Sequence, residues 1–517
     1  MDIKGLFRDV GLPTLLTGIS ALLVIWEAGW IIYCRFFHPL AKVPGPFLGS
    51  ISELYRFYHN FICKGTLYHE FDKLKERYGP VIRIAPNEVL LTDNDNYEKV
   101  YATHSAFHKD PSFYGFFGID GSLFSTISNE VHRRKRAILN PFFSRRAVLD
   151  QEDVVQSKAA KLCRRIERDS EHGLLTNVQI GFRAVSVDVI TEYAFGADNC
   201  YNSLDAEDFG VWYNKLVRGV SPMVYAFKLA PALKVPMQGM PFWLAKKINP
   251  VVVSFMTLIR ESKRQVLAVV KEIENGVKPK RDTIFHTILK PAGMNASYTP
   301  PPVDHIVDEA YGMTVAAAET TGNAMAMCAF HVLYNPDIYA KLRKELLEAF
   351  PDPTAPLDFL SLEKLPYLTG VIKEGLRLSY GVIYPLPRVV PQGGASFNGV
   401  YIPEGSVVSM SNWLMHRDPS AFPNPDVFDP ERWLDPTEAR YRDKFLTPFS
   451  RGNRMCIGQP LAMCEMYVTI GRLFHKFDDL EAPDIGPEDM TYEDYFSPFH
   501  PLHARKFQVI RSGCRAT

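Results

Sequence analysis

The sequence predicts a mainly α-helical body carrying small β-sheets, preceded by one N-terminal transmembrane helix. Three observations predict it. Apolar side chains run almost unbroken from Leu12 to Tyr33, and helical periodicity dominates from about Ser144 to Phe350. After residue 380 the pattern changes to Pro/Gly-rich loops and short strand-like runs.

The apolar run reads LPTLLTGISALLVIWEAGWIIY. As a helix it spans roughly 30 Å, enough to cross the hydrocarbon of a bilayer. Glu27 interrupts it, at about 2–3 kcal/mol for a carboxylate at depth unless it is protonated or paired. A cleaved signal peptide or a buried helix are the other readings. Against a signal peptide, bulky Trp30 to Phe37 and Arg35 stand where a small-residue cleavage site belongs. Asp2, Lys4, Arg8 and Asp9 cancel on the N-terminal flank, whereas Arg35, His38 and Lys42 follow the run, which places the body in the cytoplasm. In HPLAKVPGP, Pro39, Pro44 and Pro46 disfavour helix, so the expected division is an anchor at 1–37, a proline-rich hinge at 38–46 and a catalytic unit at 47–517. The sequon at Asn295 is expected to stay unglycosylated there.

In the body, a helix is expected over Leu67 to Arg77, ended by Gly79-Pro80. Val81 to Ala85 and Glu88 to Thr92 form a hairpin through Pro86-Asn87. Loops near 200–207, 230–242 and 275–302 interrupt the helical half. A long helix runs from about Val303 to Leu333 and is stopped by Asn335-Pro336. Its centre, Thr314 to Gly322, is a run of small residues followed by a carboxylate and hydroxyls. Such a run serves close helix packing, or it lets a flat cofactor press against the helix. Later come strands over Ser406 to Met410 and Lys506 to Arg511, and a helix around 461–476.

With 517 residues, 46% of them hydrophobic, the chain buries a large core with room for an internal ligand. Its formal net charge is zero, with no zinc-finger spacing and no internal repeat, which excludes nucleic acid as a general partner. Eight cysteines stand singly, a pattern of a reducing compartment rather than a disulfide scaffold. Gly115 to Gly121 has the wrong spacing for a dinucleotide fingerprint, so no flavin or nicotinamide site is expected.

The most informative segment is Pro448 to Gly458, PFSRGNRMCIG. A thiolate kept as a metal ligand needs backbone N–H donors aimed at sulfur, shielding from water and nearby cations. Gly452 and Gly458 allow the tight path, Phe449 can cover the sulfur, and Arg454 supplies a cation. Read by itself, Cys456 is equally a buried cysteine beside a glycine turn. The segment resembles the F-x-x-G-x-R-x-C-x-G signature of the cytochrome P450 family at every fixed position, and Ala462 and Glu465 continue it. Glu374-Gly-Leu-Arg377 is similar to the family's E-x-x-R pair and Pro430 to Trp433 to its P-E-R-[FW] element. Ala316 to Thr320 is similar to [AG]-G-x-[DE]-T, with Ala317 in place of the usual glycine. His132 to Arg136 is similar to W-x-x-x-R, with histidine in the tryptophan's place.

The resemblance implies the cytochrome P450 fold and a haem-thiolate monooxygenase that inserts oxygen from O2 into an apolar small molecule. Cys456 would be the axial ligand of haem b, with Phe449 and Gly458 beside the sulfur. His132, Arg136, Arg388 and Arg454 would meet the haem propionates. Thr320 would hydrogen-bond the oxygen being activated, and Glu319 would connect it to a proton supply. Glu374, Arg377 and Arg432 would form a buried network that holds the cysteine loop. Phe113, Phe116, Phe117, Met313, Ala317, Val382, Ile383 and Phe496 would line the substrate pocket. Electrons would come from an NADPH-cytochrome P450 reductase at the endoplasmic reticulum membrane, with Arg133, Arg134, Lys135 and Arg451 as candidate docking cations. The stretches 107–114 and 132–144 look similar to fungal trichodiene-oxygenase-like members, which points to a terpenoid or another secondary metabolite. The alternatives are a same-fold enzyme that rearranges a peroxide or dehydrates an oxime without external electrons, and a membrane-tethered haem sensor without turnover.

Overall fold

The computed structural model describes residues 12–222, 225, 228–229, 240–290, 299–352 and 356–514. The expectations resting on Asp2, Lys4, Arg8 and Asp9, on Asn295 and on most of the 230–242 loop lie outside them.

Helix α1 (Leu12–Ile32) continues into a π-helical turn, Tyr33–Phe37. The run Pro13–Phe37 is long and apolar enough to cross a membrane, and the body covers none of its most apolar stretch. An uncovered apolar rod of this length fits hydrocarbon better than water. Its exit is fastened to the body. The Trp30 indole donates to the Ile51 carbonyl at 2.8 Å, and Arg83, itself buried, donates to the Cys34 carbonyl at 2.8 Å. Leu40 and Val43 are buried, and the Arg83 backbone N–H donates to Pro44 O. Segment 38–46 is thus docked on the body by two buried aliphatic side chains and a backbone hydrogen bond.

The helix expected from Leu67 starts as a 3₁₀ turn, Leu67–Glu70, and becomes α-helical over Phe71–Tyr78. Gly79, at φ 82°, ends it. The main sheet is built from β1 (Val81–Ala85), β2 (Glu88–Leu91), β3 (His108–Lys109), β4 (Arg388–Val389) and β5 (Val407–Ser409). Its order is β1-β2-β5-β4-β3, with β2 and β5 parallel and the other pairs antiparallel. The β3–β4 register sets Lys109 opposite Arg388, two cations drawn from distant parts of the chain.

The helices that position the site are α2 (Asn129–Leu139), α3 (Glu152–Glu171), α4 (Val178–Phe195), α5 (Pro250–Glu274), α6 (Val303–Tyr334), α7 (Pro336–Ala349), α8 (Pro366–Ser379) and α9 (Gln459–Lys476). Ser128, Asn177 and Asn335 cap α2, α4 and α7 by accepting from first-turn N–H groups. Helix α6 crosses the centre of the body, against α4, α5, α8 and α9. Its small residues serve different surroundings at different positions. A Cβ on Gly322 would stand 2.8 Å from the Arg183 Cα, so this glycine serves the approach of α4, whereas Ala316 and Ala317 face a cavity. The Gln508–Arg511 strand pairs with Thr176–Asn177 and Leu480–Glu481, closing the C-terminal half onto α3 and α4.

Candidate active site

Cys456 follows a single 3₁₀ turn, Gly452–Arg454, and precedes α9. Gly452 has φ 70°, and a Cβ there would strike the carbonyl of Tyr101, so the turn admits only glycine. The Cys456 N–H donates to Phe449 O at 2.8 Å and closes the loop. Burial pushes the Cys456 thiol up, opposed by the backbone N–H groups of Gly458 and Gln459 and by the Arg136 guanidinium. Cys456 is exposed to a cavity of about 380 Å³, which it lines. The same cavity is lined by Phe449, Arg454 and Gly458 from the loop and by Ala316, Ala317 and Thr320 from α6.

Beside the loop stands a cluster of cations. Burial and the charges of Arg388, Arg454 and Arg136 hold the Lys109 amine well below its usual range. Burial lowers His132 to about 3, helped by Arg454, Lys109, Arg136 and Arg388. Arg454 is lowered to about 10 by burial and then by Arg388 and Arg136. Among the described residues no carboxylate stands among the groups that shift these three. Basic groups crowded so that each disfavours its neighbours' charged forms, with Lys109, His132 and Arg388 buried, fit an anionic group entering from the cavity, and the acid side chains of a haem would meet that need. Lys109, Arg388 and Arg454 lie on the cavity wall, while His132 and Arg136 stand behind it. Arg136 donates to Met455 O at 2.6 Å, one residue before the cysteine. Arg454 is braced by Thr126 O, Ile127 O and Asn129 Oδ1 at 2.6–2.8 Å. Lys109 was not anticipated from the sequence, because only the strand pairing brings it to Arg388.

On α6, the Thr320 hydroxyl donates to Ala316 O at 2.8 Å, and Glu319 accepts from Arg183 Nε at 2.9 Å. The other Glu319 oxygen is buried with no partner among the described residues. Arg183 was also missed. Its signal was the one cation in α4, a helix rich in apolar side chains, where a buried charge demands a counter-charge.

Glu374, Arg377 and Arg432 come together as expected. Arg377 Nε and Nη2 each donate to the Glu374 carboxylate at 2.8 Å, and Arg432 Nε lies 3.3 Å from it. The Trp433 indole and the Asp429 N–H, both at 2.9 Å, complete the carboxylate's partners. Arg377 also donates to Pro425 O at 2.6 Å and Val427 O at 2.9 Å.

Of the eight expected pocket residues, Phe117, Met313, Ala317, Val382 and Phe496 line the cavity. Phe113, Phe116 and Ile383 do not. Phe113 is buried one layer back, stacked on Tyr384 with ring centroids 4.7 Å apart. Phe116 precedes Phe117 in a 3₁₀ turn, where neighbours point about 120° apart, so only one faces inward. Ile383 follows Val382 just after a tight turn closed by Val382 N–H on Tyr380 O, and it is fully buried in the core. Residues from α6 and from the hairpin of strands Glu493–Tyr495 and Ser497–Phe499 that sequence reading missed, Tyr311, Val315, Tyr495 and Phe499, complete the apolar wall. Among the candidate docking cations, Lys135 turns inward to Gly121 O at 2.6 Å, Arg134 pairs with Glu130, and Arg451 pairs with Glu98. Arg133 is exposed.

A sulfur presented to an apolar cavity beside cations that want an acid-bearing partner is the arrangement of the haem-thiolate oxygenases. A family model described as Cytochrome P450 matches residues 39–500, and the chain belongs to that family. Its activity is that of a cytochrome P450 monooxygenase, whose cofactor is a haem held by a thiolate and whose reaction needs O2 and a reductase. The chain is similar to the cytochrome P450 monooxygenase MO6277 of Ascocoryne sarcoides, at 34% identity over 96% of this chain and 98% of the relative. It is 32% identical to the cytochrome P450 monooxygenase TRI4 of Trichoderma arundinaceum, over 95% of this chain and 94% of the relative. It is also 32% identical to the tryptophan 6-hydroxylase fscE of Fusarium equiseti, over 92% of each chain.

Proposed function

We propose that this chain inserts one oxygen atom from O2 into an apolar small molecule, a fungal secondary metabolite such as a terpenoid, with Cys456 as the axial ligand of haem b. The observation that carries the reading is the cavity shared by the Cys456 sulfur, the α6 face and an apolar wall. Its charged lining residues are Lys109, Glu319, Arg388, Arg454 and Glu465, of which Glu319 is paired with Arg183 and Glu465 accepts from Ser186. An amino acid substrate, as for the tryptophan 6-hydroxylase, would need charged partners that this wall does not offer, so a hydrocarbon skeleton fits better.

Bound haem supplies the activation of dioxygen. His132, Arg136, Arg388 and Arg454, joined by Lys109, would hold its propionates, with Lys109, Arg388 and Arg454 on the cavity wall and His132 and Arg136 supporting from behind it. Phe449 and Gly458 enclose the sulfur, and the N–H groups of Gly458 and Gln459 stabilise its charge. Thr320 donates a hydrogen bond toward the cavity in place of its bond to Ala316 O, and Glu319 resupplies the proton. Phe117, Met313, Val382 and Phe496 orient the substrate and exclude water.

The same reading takes residues 1–37 as a single-pass anchor in the endoplasmic reticulum membrane, 38–46 as the joint, and 47–517 as a cytoplasmic catalytic unit served by NADPH-cytochrome P450 reductase. The test uses full-length protein in membranes, with terpenoid substrates and isotopically labelled dioxygen. Labelled alcohol formed only with NADPH and the reductase is the expected outcome. Turnover of a peroxide or an oxime without them would establish the electron-free alternative, and haem binding without product under any oxidant would establish a sensor.

A further inference from the structure

The Glu374–Arg377 network and the cysteine loop are separate stretches of chain, and one imidazole joins them. His416 ends the short helix Asn412–Met415 and is fully buried. It is tied twice to Arg377: its carbonyl accepts from Arg377 Nη1 at 3.2 Å, and its ring Nδ1 lies 2.9 Å from the Arg377 carbonyl. Its other nitrogen, Nε2, accepts from the backbone N–H of Thr447 at 2.9 Å.

These partners fix the ring. Nδ1 faces a carbonyl and must carry the proton, while Nε2 faces an N–H and must present its lone pair, so the ring is neutral and in one tautomer. Burial and the nearby Arg377 charge favour the same form. Thr447 opens the run that ends at the sulfur: its carbonyl accepts from Ser450 N–H, and Phe449 O accepts from the Cys456 N–H. Its hydroxyl donates to Asn412 Oδ1 at 3.0 Å, beside His416 on the same helix.

We infer that His416 is a positioning residue that sets the cysteine loop, and through it the Cys456 sulfur, by coupling the Arg377 backbone to the Thr447 amide. The inference rests on the reading of Cys456 as the haem ligand. Without the Nε2 lone pair a buried amide is left unsatisfied, and the loop relieves it by moving.

The test compares full-length holoprotein carrying His416→Leu, His416→Asn or His416→Gln. Glutamine places an acceptor near Nε2, asparagine reaches only as far as Nδ1, and leucine offers neither. The readouts are haem content, thermal unfolding and the reduced-CO spectrum, in which thiolate ligation gives a band at about 450 nm. In His416→Asn and His416→Leu the ratio of shorter-wavelength to thiolate band rises roughly tenfold over the unsubstituted protein, the effect of one unsatisfied buried amide. His416→Gln stays within about twofold of it, since its amide oxygen restores the acceptor. If leucine prevents folding, the asparagine and glutamine pair decides. Equal spectra for those two, or stability losses with no change in the band ratio, would overturn the inference. A missing thiolate band in the unsubstituted protein would instead overturn the reading of Cys456.

Discussion

The Glu319 carboxylate is held by the Arg183 guanidinium, Nε to Oε2 at 2.9 Å, with both side chains nearly sealed from solvent. The pair joins α4 to α6 at the turn that also carries Thr320, and Gly322 gives α4 the room to come close. It fixes one carboxylate oxygen and leaves the other without a partner among the described residues.

Arg183→Met is therefore expected to strand a buried carboxylate and lower stability by about 3–5 kcal/mol. Adding Glu319→Gln to that variant is expected to recover part of the loss, because the uncompensated charge is removed. Denaturant unfolding of the two single variants and the double variant measures the coupling. Strict additivity would show that the pair does not interact.

Thr320→Ala removes a hydroxyl while leaving the cation cluster and the cysteine loop intact. Haem binding is expected to persist, with NADPH consumption diverted from product to hydrogen peroxide. The ratio of peroxide formed to NADPH oxidised reads this directly, and an unchanged ratio would assign proton delivery to another group.

Much of this site was legible because it is local. The cysteine loop keeps Phe449, Gly452, Arg454, Cys456 and Gly458 within ten consecutive residues, and Gly452 declares a path that only glycine follows, whereas Gly458, at φ -80°, has room for a side chain. The β1–β2 hairpin and α6 were announced by turn residues and by Asn335-Pro336 at the helix end. What escaped depends on distant parts of the chain. Lys109 meets Arg388 only through strand pairing, and Arg183 meets Glu319 across two helices. The side of the chain taken by Phe113, Phe116 and Ile383 is set by packing that adjacent positions do not reveal.

The Phe113 and Phe117 rings touch, with centroids 5.6 Å apart, yet only Phe117 reaches the cavity. Phe113→Ala is expected to cost about 3–5 kcal/mol of stability, as for a buried aromatic truncated to alanine. Phe117→Ala is expected to alter the product distribution with a smaller stability loss. Unfolding curves and product profiles of both variants separate the roles. A shifted profile for Phe113→Ala alone would reverse them.

Burial raises the Glu465 carboxyl to about 8 from 4.5, and Ser186 donates to it at 2.6 Å. Across that window the native state holds a proton that the unfolded chain has released, so stability falls as pH rises from about 4.5 to about 8. Glu465→Gln keeps an acceptor for Ser186 and has no proton to lose. Its melting temperature is expected to exceed that of the unsubstituted protein above about pH 8 and to vary less across the window. Parallel pH profiles for the two proteins would rule out a protonated Glu465.

The most direct measurement is the reduced-CO spectrum of the full-length protein beside Cys456→Ser. Thiolate ligation predicts a band at about 450 nm in the first and its loss in the second. A band that survives the loss of this sulfur, or a spectrum of nitrogen-ligated haem in the unsubstituted chain, would contradict the assignment on which the site rests.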